Sequence, residues 1–186
     1  EIIDEVQNEE MLKKIMHHLF VIDSGASHYP FEDLLLNKIK RTGKKIKDLS
    51  KEPISIELNN GALVSFIGCD KELSNFKMHT LMRKGLSSIL NEKPSELSIS
   101  FFGDAVADKW VHSSVYVALA NAQPLPDLKK SAKTKVLKKL YLTGVSKRSL
   151  SSIVALVNGN TLTRNLTITP PNQLTPTIYK TKIKKL

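Results

Sequence analysis

Strand-like and helix-like stretches take turns along this chain, and only once do two strand-like stretches follow each other directly. Residues 5–17 (EVQNEEMLKKIMH) read as an amphipathic helix and residues 18–23 (HLFVID) as a buried strand. A helix is predicted over 31–43, with Phe31, Leu34, Leu35 and Ile39 on one face and Gly43 as its C-terminal cap. Strands follow at 51–58 and 62–69, separated by Asn59-Asn60-Gly61. That triplet tolerates positive φ and makes a tight hairpin. A helix over 74–92, capped by Ser74, carries Phe76, Leu81, Leu86, Ile89 and Leu90 near helical spacing, and Pro94 closes it. After a strand at 97–103, a helix at 108–122, a loop at 124–134 and a strand at 135–144 comes a last long helix at 149–165. The order αβαββαβαβα predicts an α/β sandwich with a mixed sheet whose single hairpin supplies the antiparallel pair.

The long helix runs into Pro170-Pro171, which cannot continue it. Thr175 then suits a new helix cap, with Pro176 pre-set at the first turn. Ile178, Ile183 and Leu186 lie on that new helix with no following element to pack against. With 186 residues, one domain plus a linker is the natural division. Residues 1–148 are read as an α/β domain, 149–174 as a linker helix and Pro-Pro linker, and 175–186 as the first helix of a second domain. The expectation is a chain that continues past Leu186.

Charge is unevenly spread. Up to Asp127 there are 15 Lys+Arg against 18 Asp+Glu; from Leu128 onward there are 13 Lys+Arg and no acid. Such a half suits a polyanion or the acidic face of a neighbour. Its core is Lys129, Lys130, Lys133, Lys135, Lys138 and Lys139, with Lys147 and Arg148 beyond. As a polyanion contact this cluster would track phosphates. Tyr141 is the one aromatic close by, so base stacking has little support, and a solvated loop and strand edge is the plainer reading. No apolar run approaches the ~20 residues that span a bilayer, and the acidic, polar start of the chain is unlike a secretory leader. The lone Cys69 sits in an apolar strand, which predicts a buried, inert thiol and a reducing, cytoplasmic home.

The motifs bear on three chemistries. Asp23-Ser24-Gly25 after a hydrophobic strand, with Phe66-Ile67-Gly68 as buttress, matches the signature of aspartic peptidases, in which paired carboxylates share a proton. The helices between and after these motifs contradict that nearly all-β fold, so a strand end and a glycine turn is preferred. His17, His18, His28, His79 and His112 stand at no metal-ligand spacing. Neither a glycine-rich phosphate loop nor a G-x-S-x-G elbow is present. No residue of this chain is expected to be catalytic, and no metal or cofactor is expected on it.

The stretch RNLTITPPNQLTP (164–176) resembles the segment that joins the two domains of the cytosol (leucyl) aminopeptidase family. The residues that carry the likeness are Arg164, Asn165, Thr169, Pro170, Pro171, Asn172, Leu174, Thr175 and Pro176. Residues 61–94, the LSISFFG strand and the basic segment 124–142 are similar to one branch of the family at the level of pattern. The resemblance implies a three-layer α/β/α sandwich like that of macro domains, forming the non-catalytic N-terminal part of a cytoplasmic metallopeptidase that removes N-terminal residues, often leucine. It also implies two divalent ions, zinc or manganese, in a C-terminal catalytic domain, where they would polarise the carbonyl and supply hydroxide. Every ligand motif of that domain would fall after Leu186. Hexamer assembly and a border to the active-site entrance are implied for the N-terminal part, and some members bind DNA.

Overall fold

The computed structural model describes residues 1–4, 9–23, 25–103, 106–124, 136–145 and 150–184. Strand β1 (Ile2–Asp4) and helix α1 (Glu9–Lys14) precede β2 (His17–Asp23). Then come α2 (Glu32–Thr42), a 3-10 helix (Ile46–Ser50), β3 (Ile54–Glu57), β4 (Leu63–Cys69), α3 (Asn75–Asn91), β5 (Glu96–Phe102) and α4 (Asp108–Ala122). The chain closes with β6 (Lys139–Thr143), α5 (Ser151–Ile168), a 3-10 turn (Pro171–Gln173) and α6 (Pro176–Ile183).

One six-stranded sheet has the order β1-β6-β5-β2-β4-β3. Only β3 runs antiparallel, paired with β4 across the Asn59-Asn60-Gly61 turn. There Gly61 has φ +81°, its N–H donates to the Leu58 carbonyl, and the Asn60 side chain accepts from Ala62. The mixed sheet and its single hairpin are therefore as the sequence predicts.

Alternation along the inner strands sends side chains to both faces. Leu19, Val21, Ile67, Leu97, Ile99, Leu140 and Leu142 meet α3 and α4, which bring Met78, Met82, Leu86, Trp110 and Val115. Phe20, Ile22, Val64 and Phe66 face the other way, toward Leu35 and Ile39 of α2 and Leu49 of the first 3-10 helix. The fully buried rings of Trp110, Phe20 and Phe66 contribute roughly 1.5–3 kcal/mol each by removal from water.

The caps follow local chemistry. Ser74 accepts from the Lys77 N–H at 3.4 Å to start α3. Gly43, with φ +67°, ends α2.

Three expectations need correction. A strand that was not expected, Ile2–Asp4, lies parallel to β6 at the sheet edge, and of the helix expected over 5–17 the described residues show Glu9–Lys14 as helix and His17 already in β2. Three residues are too few to show a period, so this pairing is set by the neighbour strand. Leu34 is 45% exposed, because α2 turns only Leu35 and Ile39 fully inward. Phe76, 76% exposed, stands off the first turn of α3, whose buried stripe is Met78, Leu81, Met82, Gly85, Leu86 and Ile89.

Candidate functional site

Side chains from several elements gather at the places that follow. The first is a cleft of about 520 Å³ at the carboxyl ends of β2 and β4. The chain reverses direction around β2: its own connection leads to β3 and β4 on one side, and the connection from β4 returns to β5 on the other. Ligands of open α/β sheets settle outside strand ends at such a point. Asp23, Gly25, Lys47, Ser50, Cys69, Asp70, Lys71 and Glu72 line this cleft. Gly68 is needed there because a Cβ would come within 2.8 Å of the Ser50 backbone nitrogen.

The chemistry of the cleft is poor in reactive groups. The Cys69 thiol is buried and pushed up to about 12, first by burial and then by the charge of Asp23. It stays protonated at neutral pH and is no nucleophile. Asp23 and Gly25 do end a strand in a glycine turn, as the plainer reading predicts, and Ala26 donates back to the Asp23 carbonyl at 2.9 Å. The strand carrying Asp23 is the middle of a parallel array covered by helices, so the all-β premise of an aspartic peptidase does not hold. Ser24 lies outside the described residues.

The second place is the stretch that carries the family likeness. α5 rests on α4, with Val157 of α5 buried and two polar contacts joining the helices. The Asn160 amide donates to the Tyr116 hydroxyl at 2.8 Å, and an Arg164 guanidinium N–H donates to the Ala120 carbonyl at 2.6 Å. Ala120 belongs to the last turn of α4, where carbonyls lack helical partners and a cation is favourable. Arg164 is thus a cap on a neighbouring helix.

Past it, Thr169 ends α5, its N–H and hydroxyl both donating to the Asn165 carbonyl at 3.1 and 2.6 Å. Pro170 is extended and accepts from the Gln173 N–H at 2.8 Å, while Asn172 is exposed and Leu174 half-buried. Thr175 accepts from the Ile178 N–H at 3.4 Å, and Pro176 opens α6. Every residue from Thr175 to Lys184 is exposed, including Ile178, Tyr179 and Ile183.

Of the basic cluster, Lys129, Lys130, Lys133 and Lys135 lie outside the described residues, as do Lys147 and Arg148. Lys138 is exposed, and Lys139 lies 3.6 Å from the Glu96 carboxylate. Among the described residues no three His, Cys, Asp or Glu side chains gather as a metal would require. The described residues therefore do not fit a metal pair. No helix among the described residues is long and apolar enough to cross a membrane.

One arrangement emerges only in the folded chain. His79 and Arg83 of α3, Tyr116 and Asn121 of α4, and Asn160 and Arg164 of α5 line a common groove. The four-residue spacings His79/Arg83 and Asn160/Arg164 were visible signals that each pair shares a helix face. That these faces meet is a matter of packing.

No protein-family model matches the chain, and neither does any curated protein. Solved structures are similar in fold. A mutant of tomato leucine aminopeptidase superposes with a TM-score of 0.69 at 12% identity, over 99% of this chain and 41% of that one. The bottromycin maturation enzyme BotP in complex with Mn matches with 0.63 at 14% identity, over 91% of this chain and 36% of that one. Cytosol aminopeptidase from Coxiella burnetii matches with 0.57 at 15% identity, over 99% and 36%. This chain thus spans well under half the length of the structures it resembles, and at such identities the likeness is one of fold.

Proposed function

We propose that this chain is the non-catalytic N-terminal domain of a leucyl-aminopeptidase-like metalloexopeptidase, a cytoplasmic enzyme removing N-terminal residues from peptides. The observation that carries the reading is the fold likeness: nearly all of this chain superposes on only 41% of the tomato leucine aminopeptidase chain. The Pro-Pro linker and the exposed apolar residues of α6 support it, since Ile178, Tyr179 and Ile183 need a partner surface.

In this reading residues 1–148 form a macro-domain-like sandwich and 149–174 the linker to a catalytic domain begun by α6. Two divalent ions, zinc or manganese, belong to that domain. The part described here serves assembly, as a hexamer, and borders access to the active sites. Its mechanical contribution would be α5, locked to α4 by Arg164 and Asn160, which fixes where the linker leaves the domain.

The test is the native polypeptide. Antibody to this chain is used to probe a source-cell extract, and the captured protein is assayed for release of leucine from leucine amide with manganese or chelator. A band much larger than 20.8 kDa with metal-dependent release is expected. A band at 20.8 kDa without release overturns the proposal.

A further inference from the structure

The groove between α3, α4 and α5 encloses about 320 Å³. Its polar groups are mostly donors. The Arg83 guanidinium is exposed, and Arg164 uses one N–H on Ala120. The Tyr116 oxygen accepts from Asn160, which leaves its own O–H hydrogen to donate. His79 contacts the Ser113 hydroxyl at 3.1 Å through one ring nitrogen and stacks at a tilt on Tyr116, with 5.7 Å between ring centres. Among the described residues no carboxylate lines the groove and neither arginine is in an ion pair. Val117 and Ala120 form an apolar floor.

We infer that this groove binds a small oxyanion, inorganic phosphate or a phosphate monoester, held between the Arg83 and Arg164 guanidiniums with the Tyr116 hydroxyl as a third donor. Two planar, permanently charged forks arriving from different helices match a phosphate dianion better than a single carboxylate. The volume exceeds what a bare phosphate fills, and the Val117–Ala120 floor offers a surface to the organic part of a monoester. The nearby α4 C-terminus, whose partial negative charge opposes an anion, is covered by Arg164 itself. His79 reports on the site: burial and the charge of Arg83 hold its pKa below the ordinary 6.5. The titratable or charged groups that face it are Arg83 on its own helix, Tyr116 on α4 and Arg164 on α5. A bound anion would offset Arg83 and raise the pKa.

The experiment is an NMR titration of the His79 ring in the full 186-residue chain with inorganic phosphate, then glycerol phosphate, against sodium chloride of equal ionic strength. His79→Gln identifies the resonance. Saturable shifts with a Kd on the order of 1–10 mM, and a raised His79 pKa, are expected. Arg83→Gln should weaken binding roughly tenfold or more, with partial recovery in Arg83→Lys. Arg83 is exposed, so the fold should survive the change. Tighter binding of glycerol phosphate than of phosphate assigns the monoester; equal binding assigns the free ion. Shifts that match the chloride control, or that persist unchanged in Arg83→Gln, overturn the inference. Neither result depends on whether the chain belongs to a peptidase.

Discussion

At the scale of single residues, two positions tie local geometry to stability. Gly144 follows β6 with φ +74°, and a Cβ there would lie 2.1 Å from the Phe101 carbonyl oxygen. Gly144→Ala therefore meets both left-handed strain and a backbone collision. A loss of about 2–4 kcal/mol in urea unfolding is expected. His18 is fully buried, its Nε2 2.7 Å from the Ile15 carbonyl oxygen. Burial lowers its pKa from the ordinary 6.5, followed in size by the opposing backbone hydrogen bond. His79 is lowered as well. In both cases the unfolded chain binds protons more readily than the folded one, so stability rises with pH across this range. It should be complete above the unfolded value and fall as pH drops below about 6.5 toward the lower folded values. Urea midpoints compared at about pH 7.5 and about pH 5.5 test this, and His18→Gln should reduce the slope.

At the scale of elements, the C-terminal stretch splits into a fixed part and a free part. α5 is fastened to α4, whereas α6 is eight residues long and exposed throughout. An isolated helix that short is marginal in water. Amides of α6 should exchange with solvent far faster than those of β2 or β4, whose strands are buried on both faces. Thr175→Ala removes a cap worth about 1 kcal/mol to α6 alone, so the global unfolding transition should not move. Arg164→Met, only eleven positions earlier, removes the 2.6 Å bond to Ala120 and should lower global stability by about 1–2 kcal/mol. Equal effects of the two substitutions would contradict this division.

For the whole molecule, stability rests on two apolar layers either side of one sheet, and the described residues offer no metal donor set. A chelator at millimolar concentration should leave the melting temperature of this chain unchanged, in contrast to small domains that fold around zinc. The order of elements after β1, the single hairpin, the Ser74 and Thr175 caps and the burial of Cys69 were all legible in the sequence, because each depends on neighbours in the chain. A proline pair stops a helix, an Asn-Asn-Gly triplet turns a strand, and an apolar run seeks burial wherever it lies. Three things needed the tertiary structure. Ile2–Asp4 became a strand only because β6 presented a parallel edge. Leu34 and Phe76 are exposed because, among the described residues, no element crosses over them to use their helical faces. The groove of Arg83, Tyr116 and Arg164 exists because three helices distant in sequence pack side by side. Which faces meet is decided by the fit of whole layers, and that information is distributed over the core rather than written at any one position.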